Sequence, residues 1–386
     1  MRHVAHLGRI RARRGCRSTA CLLWAWLFAG QAVCAASTVS PPRAAADVAK
    51  PFNLALAAAP SSDLEWRLFA DAADGRLDEF SPLDAALVAS GVGDVESLER
   101  YRRKAAGLVD ELQRSGACAG PPTAVAEAVF EFMHRRVLRG RYRIDGTDLR
   151  ATLDEGRFNC LTASILFNYL AGQFGLQCRG LAAPGHAMSR VLLPGGVLDL
   201  ETTCPSWFQL RARPTGMSEA VARTRWPATP AETANLREVS PIQMAAMIYY
   251  NRGVDRLAEK QFAQAAAANA KAVRLDPGNA TARGNLLATL NNWSIELGDR
   301  QQFREAIDVL HQGMSLEPSY RAFAQNFVHL HHQWAESLCR AGRFDQAFEV
   351  LSRAVAEMPN QPYLRRARSE VSQRLAKAIA ERKPAG

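Results

Sequence analysis

The sequence predicts two folded parts: an α+β domain in which helices precede a small antiparallel sheet, then an all-α array of helical repeats. Three observations predict this. Apolar residues recur at helical spacing from about Ser81 to Leu176, the pattern then shortens into brief alternating runs up to Thr203, and the last third repeats itself every 41 residues. A chain of 386 residues, 48% of them apolar, is long enough to bury a core in each part.

The first residues belong to neither part. Six arginines (Arg2, Arg9, Arg11, Arg13, Arg14 and Arg17) precede the uncharged run "ACLLWAWLFAG", Ala20 to Gly30, and the small-residue exit "QAVCAAS". A basic end, a short apolar run and small residues at cleavage spacing make residues 1–36 a signal peptide, which directs the mature chain to the periplasm or outside the cell. With those six arginines removed, the formal charge falls from +10 to +4, which speaks against a nucleic-acid partner. Membrane attachment is expected only if the segment stays uncleaved or Cys34 is lipidated. Cleavage leaves Cys118, Cys160, Cys178, Cys204 and Cys339, with no CxxC and no zinc-type Cys/His spacing. Cys178 and Cys204 flank one small strand region and are the first pair expected to form a disulfide.

Residues 37–62, rich in Ala, Pro and Ser, read as a flexible tether. The α+β domain is expected over 63–210. Leu98, Tyr101, Ala105, Leu108 and Leu112 mark one helix face, "TAVAEAVFEFMHRRVL" follows "GPP" as another helix, and "FNCLTASILFNYLAGQFGL" forms a third. From Leu176 onward, runs broken at "APG" and "PGG" read as antiparallel strands. Residues 211–240, with several prolines, read as a connecting segment.

Within 241–386, "KQFAQAAAANAKAVRLDP", "QQFREAIDVLHQGMSLEP" and "GRFDQAFEVLSRAVAEMP" align with Phe262, Phe303 and Phe344 in one column. Ala265, Ala306 and Ala347 form a second column, Ala272, Gly313 and Ala354 a third, and Pro277, Pro318 and Pro359 close each unit. Small residues let paired helices approach and the prolines stop them. These columns resemble the second half of a tetratricopeptide repeat. That family's period is about 34, so each unit here carries seven extra residues, about two helical turns, which implies elongated first helices. "YLRRARSEVSQRLAKAIAERK" reads as a polar capping helix. The resemblance implies a protein or peptide partner bound by the array.

The chemistry is expected at "FNCLTAS". Asn159 is a candidate N-cap that puts Cys160 at the first helical position, where unsatisfied backbone N–H groups and the helix dipole favour negative charge on sulfur. The next histidine downstream, His186 in "APGHAMSRV", starts a strand, and "VLDLETT" supplies Asp199 and Glu201 on the next. That order gives a nucleophile, a base and an orienting acid.

"NCLTASILFNYLAGQFGL", "PGHAMSRV" and "LDLETT" together resemble the transglutaminase-like superfamily, a papain-like cysteine fold, and especially its bacterial branch of exported or repeat-linked domains. The resemblance implies Cys160 as nucleophile, His186 as base and an acid in the last motif. Many relatives carry Asp in an L-D-P-T-like motif where this chain has Glu201, and the spacing from His186 also allows Asp199. No tryptophan follows Cys160 as it does in cross-linking members, which speaks against cross-linking.

A two-residue turn at Gly195 and Gly196 would pair Pro194 with Val197 and put His186, Asp199 and Glu201 on one face, with Glu201 roughly 6 to 7 Å nearer the histidine end. Glu201 is favoured as the acid, with Asp199 close behind. "HLHH" at His329 to His332 offers only two histidines on one helix face, too few for a metal site, and "RYRRK", Arg100 to Lys104, reads as a solvated helix face. The expected function is an exported cysteine hydrolase or acyl transferase acting on an amide, of the transglutaminase-like peptidase or amidase kind, needing no metal or organic cofactor. The alternative is an inactive transglutaminase-like scaffold serving a repeat-based adaptor.

Overall fold

The computed structural model describes residues 52–183, 185–211 and 236–382. The expected signal peptide over 1–36, the first part of the expected tether and most of the expected 211–240 connection lie outside the described residues. Among the described residues no helix is long and apolar enough to cross a membrane.

The front part is built around one buried helix. After α1 (Leu54–Ala57), α2 (Asp63–Asp71), α3 (Pro82–Ala89), α4 (Val95–Arg114), α5 (Pro122–Arg136) and α6 (Leu149–Glu155) comes α7 (Cys160–Gln173). No charged residue occurs in α7, and Ala163, Leu166, Phe167 and Leu170 are fully enclosed. A helix apolar on all sides belongs at a core's centre, and α3, α5 and α6 pack around this one.

One side of α7 is covered by the sheet. Strands β1 (Gln177–Ala183), β2 (His186–Leu193) and β3 (Gly196–Leu200) pair antiparallel, and β4 (Arg237–Val239) adds to the free edge of β1, for the order β3-β2-β1-β4. Helix α8 (Trp207–Arg211) follows β3.

The hairpin differs from the expected one by one step at its turn. Leu193 pairs with Gly196, so Pro194 and Gly195 make the turn in place of Gly195 and Gly196. The register moves by two residues, which keeps each side chain on its face but changes its partner. Arg190 now lies opposite Asp199.

No disulfide joins Cys178 and Cys204, and none forms among the described cysteines. Cys178 sits on β1, Cys204 follows β3, and β2 lies between them. Two strand spacings, roughly 10 Å, exceed what a disulfide spans.

Two boundaries also move. Helix α9 (Pro241–Ala258), expected to open the repeats, buries Met244, Ala245, Met247, Ile248 and Tyr249 in the front core, and β4 brings the end of the connecting segment into the sheet. The tether expected through residue 62 is already ordered by Phe52: α1 docks on the array, and Leu54 is part of the array's core.

The array continues with α10 (Phe262–Leu275), α11 (Ala280–Asp299), α12 (Phe303–Leu316), α13 (Arg321–Arg340), α14 (Phe344–Glu357) and α15 (Pro362–Arg382). The three helices that begin at a column phenylalanine are 14 residues long and the two between them are 20. Ala265, Ala306 and Ala347 are fully buried, and the ring of Phe323 lies where a side chain on Gly313 would go. A further column escaped the sequence reading. Trp293 and Trp334, one period apart, lie parallel to Phe262 and Phe303 at 6.4 and 6.1 Å.

The turn before each 14-residue helix uses a left-handed residue at the same period: Lys260 (φ 58°), Gln301 (φ 60°) and Gly342 (φ 71°). Only glycine adopts this conformation without steric cost. Lys260→Gly and Gln301→Gly are each expected to raise stability by up to about 1 kcal/mol, and Gly342→Ala to lower it by about as much. Denaturant midpoints at an unchanged m-value check this.

Candidate active site

The site is assembled where α7 begins. Asn159 caps the helix: its Oδ1 accepts the Thr162 N–H at 3.0 Å, while Thr162 Oγ1 accepts the Asn159 N–H at 3.1 Å. The Asn159 amide also donates to Thr147 Oγ1 at 2.9 Å, which fixes the cap against the loop before α6. Cys160 is therefore the first helical residue, at the end of the helix whose first-turn N–H groups lack intrahelical partners.

Backbone bonds hold the same loop together with the Asn159 and Thr162 side chains, which donate to Ile144 O and Gly146 O. Gly140 N–H donates to Gly156 O at 3.0 Å, Arg143 N–H donates to Phe158 O at 2.9 Å, and Tyr142 bridges Phe158 in parallel. Gly156 is left-handed at φ 70°, and the carbonyl of Val137 occupies the place a side chain would need. Any larger residue there must push the loop off the segment that leads into Cys160.

His186 is the first residue of β2, and its Nε2 lies 2.5 Å from Glu201 Oε2. Burial opposes a charge on this imidazole, but its bonds to the Cys160 thiol and to Glu201 outweigh that and lift it to about 11. With Nε2 committed to Glu201, Nδ1 is the nitrogen that faces Cys160.

Glu201 is buried, which opposes its charge, yet the His186 bond and two from Thr203 hold the carboxyl below its ordinary range. Thr203 donates its backbone N–H at 3.0 Å and its hydroxyl at 2.5 Å to Oε1. The two oxygens are thus divided between the histidine and the threonine.

Asp199 does not reach this cluster. Its two oxygens accept from Arg190 Nε and Nη2 at 2.7 and 2.8 Å, a bidentate pair set by their directly opposed register. The structure therefore brings Cys160, His186 and Glu201 together and leaves Asp199 on the same sheet face, closed off by arginine.

Three features of the site were not read from the sequence. His134 on α5 lies 3.1 Å from the Thr202 carbonyl through Nε2, and burial pushes its pKa down to about 4. A carbonyl only accepts, so His134 is a neutral donor with its proton on Nε2. Thr202 Oγ1 also meets Ser164 Oγ of α7 at 2.8 Å, which ties the turn after Glu201 to the helix that begins at Cys160. Third, Tyr250 comes from α9, and its phenol is pushed up to about 12 by burial and by the nearby Cys160. The residues "LETT" hint at the Thr pair; nothing local to "FMHRR" or "YYNR" places His134 or Tyr250 here.

Elsewhere in the chain, His311 pairs with Glu357 at 2.8 Å and His331 is buried with Nδ1 donating to Phe327 O at 2.8 Å. Among the described residues no three His, Cys, Asp or Glu side chains are placed to hold a metal ion.

The His186–Glu201 pair has a defined pH signature. Glu201 is lowered from 4.5, so its contribution is full above that value and fades as pH falls through the lower folded pKa. His186 is raised from 6.5, so its contribution is full below that value and fades as pH rises toward about 11. Glu201→Gln is expected to cost about 1–3 kcal/mol at pH 7, a gap that closes in strong acid. Denaturant titrations of both proteins from pH 3 to 8 measure it; a gap unchanged in acid would contradict the pairing.

Comparison with known proteins adds no relative: no family model, curated protein or solved structure matches this chain.

Proposed function

We propose that this chain is an exported cysteine hydrolase or acyl transferase acting on an amide bond, its front part a transglutaminase-like domain and its array tetratricopeptide-like. The observation that carries the reading is the shared placement of three groups: Cys160 at a helix start, His186 bonded to it, and the buried Glu201 at 2.5 Å on the far side of the imidazole. This is a nucleophile, an acid–base group and an orienter in one line.

In the proposed mechanism the Cys160 sulfur, its proton passed to His186, attacks the amide carbonyl carbon. A C–S bond forms and the carbonyl electron pair moves to oxygen, where the Cys160 backbone N–H meets the developing charge. His186 then gives its proton to the leaving nitrogen as the C–N bond breaks, which leaves a thioester and a free amine. Water, or another amine, attacks the thioester while His186 takes its proton, and the C–S bond breaks to return the cysteine. Water gives hydrolysis and an amine gives transfer. Glu201 stays ionised and keeps the ring turned toward sulfur.

The test is iodoacetamide labelling of the mature chain at pH 5.5, read by peptide mass at Cys160 and at Cys118. Cys160 is expected to react at least about tenfold faster than Cys118, with His186→Ala removing the difference and Glu201→Gln reducing it. Asp199→Asn, which disturbs only the Arg190 pair, is expected to change the rate less than about twofold. Labelling of Cys160 no faster than Cys118 would favour the adaptor reading.

A further inference from the structure

The segment read as a tether makes the most specific contact with the array. Asn53 is extended (φ −122°, ψ 110°), and the Gln312 side chain of α12 bonds the backbone on both sides of it. Gln312 Nε2 donates to Phe52 O at 2.7 Å and its Oε1 accepts the Leu54 N–H at 2.6 Å. In an extended chain these two groups point the same way, so the amide stands where a partner strand would.

Side chains supply the selectivity. Phe52 meets Trp293 edge-on with ring centroids 4.6 Å apart, and Leu54 is buried in the array's core while Leu56 is 76% exposed. The pattern recognised is aromatic, any residue, leucine. Beyond that contact, on the side of α9 and α10, Leu56, Pro60, Val92, Arg252, Gln264 and Ala268 line an open cleft of about 560 Å³.

The contact follows the repeat. Lys271, one period before Gln312, reaches Ser61 Oγ at 3.3 Å and Glu65 at 2.8 Å, so successive units hold successive stretches of the same segment. The Lys271 end is locked: Glu65 is buried and also accepts from Tyr249 at 2.5 Å. The Gln312 end rests on two backbone bonds and two apolar side chains.

We propose that the face formed by α10, α11 and α12 is a binding groove for an aromatic-X-leucine segment of another polypeptide, extended at X and turning helical at the leucine, and that residues 52–58 occupy it in cis as a displaceable strap. This deepens the partner half of the proposed function and does not depend on the chemistry of Cys160.

The test uses a fluorescent peptide with the sequence of residues 50–59, KPFNLALAAA, titrated into the full chain. A Phe52→Ala/Leu54→Ala chain, checked for an unchanged cooperative melt, is expected to bind it at least about tenfold more tightly than the wild type. Adding Gln312→Ala should reverse that gain, and a peptide with Ala at the Phe and Leu positions should not bind. A readout independent of the variants is hydrogen exchange in the wild-type chain, where excess peptide should speed exchange at residues 53–58. Equal binding by both chains, binding that survives Gln312→Ala, or exchange unmoved by peptide would overturn the proposal. Rapid Cys160 labelling alongside any of these would leave the enzyme reading standing, so the two fail separately.

Discussion

The front part depends on one buried carboxylate. Glu201 has one oxygen for His186 and the other for Thr203, and an ionised carboxylate out of water persists only with such partners. The turn after β3 exists to deliver them. Thr202, at its start, is held from two sides by Ser164 of α7 and His134 of α5, so Glu201, the His186 strand and the helix that begins at Cys160 share one hydrogen-bonded frame. The neutrality of His134 matters to that frame. A second imidazolium near His186 would compete for Glu201, and burial prevents it.

Helix α9 does for the whole chain what Glu201 does for the site. Residues one apart on a helix point about 100° apart, so Tyr249 and Tyr250 face different neighbours. Tyr249 meets Glu65 and, through it, Lys271 of the first 14-residue repeat helix, whereas Tyr250 lies by Cys160. Arg252 adds a bond to the Ala89 carbonyl at the end of α3. The repeats are therefore not hung from the front part by a linker. They grow out of its core.

Local patterns carried much of this. The cap at Asn159, the strand placement of His186 and the 41-residue columns are short-range features, written in neighbouring residues, and the sequence reading placed them where the structure does. The acid was harder because it hangs on register. Moving the turn from Gly195–Gly196 to Pro194–Gly195 leaves both candidates on the histidine's face but gives Arg190 to Asp199, so Glu201 is the carboxylate that meets the His186 ring. Long-range partners were not legible. His134 and Tyr250 join the site only through tertiary packing, and the Ala-rich stretch before residue 62 has too little apolar periodicity to reveal that Phe52 and Leu54 bind an array more than 200 residues downstream.

The contrast between the two ends of residues 52–65 follows from the same physics as the site. Breaking a buried ion pair leaves an uncompensated charge and costs about 3–5 kcal/mol, so the Glu65–Lys271 end is a fixed joint. Backbone bonds to a side-chain amide are different, because water replaces them at a net cost of about 1 kcal/mol each, and the about 1.5–3 kcal/mol of each buried apolar anchor is recovered when a second aromatic-X-leucine segment takes its place. The loose end lies on the array face and the fixed end lies against α9, whose other side borders Cys160. Release of the loose end can therefore proceed up to Glu65 without moving the Cys160–His186–Glu201 frame, and the buried pair is the barrier that confines such motion to the groove.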